Sequence, residues 1–337
     1  MDTPQTLETI RLALCALGDH IREVTCTARD ADGHGKLNTV ASVTAADTIY
    51  HIDRLTEEAI ADWFDDHWPA SLPVEVVMEG AEETGSLVFP RGLGVAQTVW
   101  KCLLDPIDGT RNMMYDKRSA WALAGVAPQR GPATSLGDVV VAAMTELPTS
   151  KAWRSDQLSA IRGTRPHAFG IDVRTGERQP IPVRPSSASD CRHAFATVTR
   201  FFPDGLGLLG TLEERLWEAL HPEARGGSPL VFNDQYLTTG GQLYELMVGH
   251  DRFTADLRPL VFRKLGLESS LAAHPYDLSA VLVAEQAGIL VEDPLSGRPL
   301  AAPLDTTTPV AWAGYANPAI AARIRPVLKN LIQELLT

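Results

Sequence analysis

Apolar residues recur along this chain at two different spacings, and each change of spacing marks an element. Near the N-terminus, Leu7, Ile10, Leu14, Leu17, Ile21 and Val24 follow at intervals of three and four, the period of one helix face. Thr3 and Pro4 supply a capping hydroxyl and a proline at the first helical position. Asp30-Ala31-Asp32-Gly33-His34-Gly35 reads as a loop, and it lacks the closing glutamate of a calcium loop. A second helix carries Leu55, Ala59, Ile60, Trp63 and Phe64 on its apolar side, with Asp53 where an N-cap belongs. Runs over 74–78, 98–102, 120–126 and 138–144 are β-branched, aromatic or continuously apolar and predict strands. In the second half, strands are predicted over 194–198, 229–232, 252–256 and 310–314, and helices over 208–220 and 243–248. A further helix buries Ala280, Val281, Val283, Ala284 and Ala287 and ends at Gly288, and an amphipathic helix from Pro318 closes the chain. This interleaving of strands and helices is an α/β pattern.

Between the halves, residues 163–189 shift to Arg, Pro, Gly and Ser. We read an N-terminal α+β half over 1–160, an irregular insertion or long hairpin over 161–190, and a C-terminal α/β half over 191–337. The arginines of the insertion either line a substrate entrance or are solvated.

Composition narrows the classes. A chain of 337 residues with 45% hydrophobic and 21% charged residues is globular. The net charge of −12 opposes general affinity for nucleic acid or an anionic membrane. No apolar run approaches the roughly 20 residues of a membrane span. Cys15, Cys26, Cys102 and Cys191 are scattered without a Cys-x-x-Cys pair, as expected of reduced thiols in a cytoplasmic protein.

The candidate chemistry centres on Leu103-Leu104-Asp105-Pro106-Ile107-Asp108-Gly109-Thr110. Two acids at a strand's carboxyl end, before a glycine turn, lie where open α/β sheets bind ligands. Asp105 and Asp108 can converge on one hard cation, with the Ile107 carbonyl as a third oxygen ligand. The plainer alternative is an Asp-Pro turn with an Asx-type hydrogen bond. The Thr110 hydroxyl can hold a water, and the amides of Gly109 and Thr110 can cradle phosphate if a helix begins there. Glu79 ends the strand over 74–78, followed by Gly80; the pair Glu82-Glu83 lies just beyond. Thr238-Thr239-Gly240-Gly241 opens a helix and allows close approach to an anion or sugar. Asp277 stands at a helix start, where it can complement the macrodipole. Lys117 and Arg118 reach an anionic substrate or are simply surface.

Asp-Pro-Ile-Asp-Gly-Thr resembles the signature of the inositol monophosphatase superfamily. These are magnesium-dependent, lithium-sensitive phosphatases that include fructose-1,6-bisphosphatase and the 3′-phosphonucleotide phosphatases. Tyr276-Asp277-Leu278-Ser279-Ala280 and Glu285-Gln286-Ala287-Gly288 resemble the superfamily's later motif. The resemblance implies a layered αβαβα sandwich. It makes Asp277 a metal ligand and Glu79 a bridge between metal and attacking water, with Glu82 as the rival because the usual Glu-Glu pair is displaced. It assigns Asp53, or alternatively Asp47, to an additional weak ion; Asp53 is preferred because Glu57 follows at +4. Asn112, Gly240 and Gly241 match substrate-pocket positions, and Asp256 matches an acid that contacts substrate hydroxyls in sugar-phosphate members. The stretch between Asp256 and Asp277 is longer than the pattern requires.

Only oxygen ligands are offered by Glu79, Asp105, Asp108 and Asp277, which favours Mg2+, or Mn2+, over zinc. Two to three ions per site, a homodimer and a small phosphorylated polyol, sugar or nucleotide are implied. Inositol phosphate is the default, with fructose bisphosphate and phosphoadenosine phosphate as alternatives. No Walker A motif is present. Two other classes are a non-catalytic sugar-phosphate or metal sensor and a metal-free structural relative.

Overall fold

The computed structural model describes residues 3–32, 40–43, 48–80, 85–224, 227–267 and 271–337. The first half runs α1 (Pro4–Asp32), β1 (Val40–Val43), β2 (Thr48–Tyr50), α2 (His51–His67), β3 (Val74–Met78), β4 (Leu87–Phe89), β5 (Trp100–Asp108), α3 (Thr110–Met114), β6 (Ala120–Pro128), β7 (Val141–Leu147), β8 (Arg154–Ile161), β9 (His167–Asp172) and β10 (Arg178–Pro180). The second half runs β11 (Ala194–Val198), α4 (Leu206–Leu220), β12 (Val231–Phe232), α5 (Thr239–Met247), β13 (Asp251–Asp256), α6 (Arg258–Leu265), α7 (Val281–Ala287), β14 (Leu290–Glu292), β15 (Trp312–Tyr315) and α8 (Pro318–Leu335).

Among the described residues the strands form a β1-β2 hairpin and two larger sheets. One has eight strands in the order β10-β9-β8-β7-β6-β5-β3-β4, and the other five in the order β12-β11-β13-β15-β14. The large sheet is antiparallel except where β3 lies parallel to β5. In the smaller sheet β11 runs parallel to β12 and β13.

Three apolar layers hold these parts together. α1 and α2 cover one face of the large sheet, where Ile10, Leu14, Leu17, Ile60 and Phe64 meet Val76, Trp100 and Cys102. α5 and α7 fill the space between the sheets, joining Leu123 and Met144 to Leu243, Leu246, Val281 and Trp312. α4 and α8 close the far side, with Leu209 and Leu216 against Phe253, Ile324 and Leu328. The expected αβαβα sandwich is therefore present: helices, large sheet, helices, small sheet, helices.

Several details differ from the sequence reading. Nothing in Asp30-Ala31-Asp32 breaks a helix, and α1 runs through them; the remainder of that expected loop lies outside the described residues. α2 begins at His51, so Asp53 belongs to its first turn rather than to its cap. Leu55 is exposed, and Ile52 and Thr56 take the buried face with Ile60, Trp63 and Phe64. The expected strand over 138–144 starts only at Val141, because Ser135 and Asp138 close a capped turn ahead of it. The 161–190 stretch supplies β9 and β10, which pair as a hairpin and extend the large sheet.

Candidate metal centre

β5 carries the centre. Its alternation places Trp100, Cys102 and Leu104 against α1 and α2, and Leu103 against the inner helices. By that period of two, Asp105 follows Leu103 onto the inner face. Asp108 is an odd number of residues further on and would point outward in a regular strand. The pairing corrects this: Asp105 lies opposite Leu123, Asp108 opposite Trp121, and the register shifts between them. One extra residue is absorbed as a bulge. Ile107 turns into the α1 and α2 side, and both acids share the inner face. Pro106 thus sits within a bulge of the strand rather than at its end.

The third acid arrives from the other half of the chain. Asp277 lies in a single 3-10 turn, Tyr276–Leu278, packed against β5 and β6. This turn can approach because β6 carries Gly125: a Cβ there would stand 2.2 Å from the Ser279 carbonyl oxygen. Carboxylate atoms of Asp105, Asp108 and Asp277 lie within 4.8 Å of one another.

Glu79 joins them by register. Met78 pairs with Leu104 in the parallel β3-β5 ladder, and the Glu79 amide donates to the Leu104 carbonyl. Glu79 therefore stands beside Asp105 and hydrogen-bonds its side chain. Glu57 lies close by, with its carboxylate where a Cβ on Gly80 would be. Asp53 is one turn earlier in α2; its side chain, like Asp47, Glu82 and Glu83, lies outside the described residues.

The remaining partners of the acids are built in. Asp105 accepts from the Ile107 amide at 3.1 Å, so the Asx turn also exists. Asp108 accepts from the Thr238 hydroxyl at 2.8 Å and from the amides of Thr239 and Gly240, which open α5. Asp277 accepts from the His274 amide at 2.7 Å. The Thr110 hydroxyl donates to the Ile107 carbonyl at 3.0 Å, so hydroxyl and carbonyl meet at one point.

Burial dominates the electrostatics. It drives Asp105 well above the usual carboxylate range, helped by the negative charges of Glu79, Asp108 and Asp277. Asp108 is pushed up to about 6 by burial, against the three donors of the 238–240 segment. Burial and Asp108 raise Asp277 as well. The positive charge of Arg258 offsets only part of this crowding and desolvation, and the donors are all oxygens. They fit a hard divalent cation such as Mg2+ or Mn2+.

Other expected residues have different partners. The Gly240 amide donates to Asp108 and the Gly241 amide to the Thr238 hydroxyl. The N-terminus of α5 is therefore capped from within instead of open to an anion. Its glycines are explained by space, since a Cβ would meet Leu123 at 2.6 Å from Gly240 and the Tyr236 ring at 2.4 Å from Gly241. Gly109 begins α3 at φ 94°, and a Cβ there would stand 3.0 Å from the Leu237 carbonyl oxygen. Asn112 donates to that same carbonyl, so both residues seat the loop that carries Thr238. Asp256 gives both carboxylate oxygens to Arg258, with no free face for substrate hydroxyls. Arg118 pairs with Asp234 over the Tyr236 ring. Arg162, Arg174 and Arg178 bond Val139, Asp172 and Asp19, which removes them from an entrance role.

Solved structures with the same arrangement of elements include SuhB from Mycobacterium tuberculosis, at TM-score 0.58 and 16% identity over 98% of each chain. The holo fructose-1,6-bisphosphatase of Leishmania major aligns at TM-score 0.66 and 14% identity, over 98% of this chain and 96% of that one. An IMPase of Thermotoga maritima aligns at TM-score 0.58 and 16% identity, over 98% and 99%. This is the inositol monophosphatase fold. No family model and no curated protein matches the sequence, so the likeness is one of architecture. Within the inositol monophosphatase fold, Gly125 and Arg258 escaped the sequence reading, and Thr238 entered it as part of a helix opening but not as the donor to Asp108. A lone glycine inside an apolar strand is a signal of close backbone approach. Thr238 follows the N-cap preference, and the surplus length after Asp256 marked the region of Arg258.

Proposed function

We propose that this chain is a phosphomonoesterase dependent on divalent cations, a divergent member of the inositol monophosphatase superfamily. The observation that carries this is the convergence of Asp105, Asp108 and Asp277 within 4.8 Å, with Glu79 beside them, in a fold shared with an IMPase and a fructose-1,6-bisphosphatase.

In this reading Asp105, Asp108, Asp277, Glu79 and the Ile107 carbonyl hold Mg2+ or Mn2+, with Asp53 at a further, weaker ion. Bound divalent cations supply charge neutralisation for phosphate oxygens and acidify a coordinated water. The chain contributes orientation. Thr110, fixed by the Ile107 carbonyl, offers its hydroxyl oxygen to a water proton, and Glu79 accepts a proton from the same water. The amides at the start of α3 face the phosphate. Asp108, locked by Thr238, Thr239 and Gly240, keeps its place as charge shifts. No protein nucleophile is required.

The substrate is a small phosphorylated polyol, sugar or nucleotide. Asp256 is occupied by Arg258, which removes one expected acceptor for the hydroxyls of any of these substrates. Inositol phosphate stays the default, with fructose bisphosphate and phosphoadenosine phosphate as alternatives. A cytoplasmic homodimer completes the proposal; among the described residues no helix is long and apolar enough to cross a membrane.

Phosphate release from inositol, sugar and nucleotide monophosphates, with Mg2+ and with chelator, tests the reading. Turnover should need the cation, and Asp105→Asn should lower it at least a thousand-fold with the circular dichroism unchanged. Release of phosphate by Asp105→Asn at the normal rate refutes the assignment. Cation binding without turnover on any ester would favour the sensor reading.

A further inference from the structure

Arg258 lies in the surplus stretch between Asp256 and Asp277, and both its backbone and side chain are committed. Its amide donates to Asp256 Oδ1 at 3.1 Å, and its Nε and Nη2 reach the same carboxylate at 2.9 and 2.5 Å. Nη1 donates to the Leu271 carbonyl at 2.5 Å. The rings of Phe201 and Phe202 flank the guanidinium, with centroids 4.9 and 5.5 Å away. Arg258 is 7% exposed and Asp256 1%.

A buried ion pair is a weak source of net stability, because desolvation offsets attraction. What this pair does have is direction. Asp256 ends β13, a strand of the small sheet. Leu271 leads through His274, whose amide holds Asp277. The guanidinium therefore spans the sheet and the segment that delivers the third acid of the centre. It is also close enough to oppose the raised affinity of Asp108 and Asp277 for protons.

We propose that Arg258 is a positioning residue for the acidic centre: by bridging Asp256 to the Leu271 carbonyl, it fixes the segment 271–277 so that Asp277 meets Asp105 and Asp108. This rests on reading the centre as a divalent-cation site. Arginine suits the task because one planar group serves the carboxylate and the carbonyl together, whereas a lysine ammonium reaches Asp256 without also holding Leu271.

The test is calorimetric titration of Mn2+ into the full-length protein and its variants, with melting in chelator as the measure of fold. Arg258→Gln should weaken Mn2+ binding at least ten-fold, and Arg258→Lys, which keeps the charge but not the hold on Leu271, should leave most of that loss in place. Unchanged affinity in a folded Arg258→Gln overturns the proposal. Tighter binding does so too, because the guanidinium would then only repel the cation. Should Arg258→Gln fail to fold, Asp256→Asn loosens the same bridge without removing the arginine; it should bind Mn2+ several-fold more weakly, and wild-type affinity there overturns the proposal. A wild-type protein that takes up no Mn2+ defeats the reading of the centre itself, and this inference with it.

Discussion

Gly240 determines how closely Asp108 can sit against the start of α5. A methyl group there would lie 2.6 Å from Leu123 and 3.0 Å from Asp108 Oδ2. Gly240→Ala should therefore cost about 1–3 kcal/mol, the range for overpacking a filled interior, and should weaken Mn2+ binding; urea unfolding and calorimetry check the two effects. Asp251 gives a pH signature away from the centre. Burial, with Glu245 and Asp234 nearby, pushes its carboxyl up to about 7, above its unfolded value of about 3.9. The folded state thus holds the extra proton between those pH values, and stability falls as pH rises through the window. Asp251→Asn should melt higher than wild type at pH 8 and lose that advantage near pH 4. Much of this scale was legible in sequence. Asp105, Asp108 and Thr110 lie within one short stretch, and their spacing near a strand end already pointed to a candidate cluster. The partners of Asp256 and Gly240 were not legible, because they depend on which neighbour arrives first in three dimensions.

At the scale of elements, periodicity located the long amphipathic helices and the apolar strands, while the short strands β4 and β14, the polar strand β8 and the helix α6 went unpredicted. The bulge in β5 was hidden: a period of two assigns Asp105 and Asp108 to opposite faces, and only pairing with Leu123 and Trp121 shows otherwise. Asp277 likewise stands in a separate 3-10 turn ahead of α7 rather than at that helix's first residue. α8 offers a test of capping. The Asn317 side chain accepts from the amides of Ala319 and Ile320 and donates to the carbonyls of Ser186 and Ala188. Asn317→Ala should cost about 1–2 kcal/mol. Asn317→Asp keeps the cap and loses the tether, so the difference between their unfolding free energies isolates the hold on residues 186–188.

Across the whole molecule, the proposed cation would compete with protons for one set of carboxylates. Burial raises Asp105, Asp108 and Asp277, and each must release its proton to accept a divalent ion. At pH 7.5, Mn2+ at a hundred times its dissociation constant should stabilise the fold by about 2.7 kcal/mol. At pH 5 the same concentration should stabilise it much less, because Asp108, pushed up to about 6, is then largely protonated. Melting temperatures with and without Mn2+ at the two pH values decide this, and an effect independent of pH would remove the buried acids from the account.

The Asp277 turn docks onto a sheet whose own acids were made much earlier in the chain. A growing polypeptide therefore carries Asp105 and Asp108 for a long interval before the opposing carboxylate exists. A further repulsion is added when the segment that carries Asp277 settles onto Gly125. Each carboxylate brought to this point thus adds to the charge that the folded chain must hold together. Cellular cations would then influence how readily the newborn chain matures, quite apart from any reaction it goes on to perform.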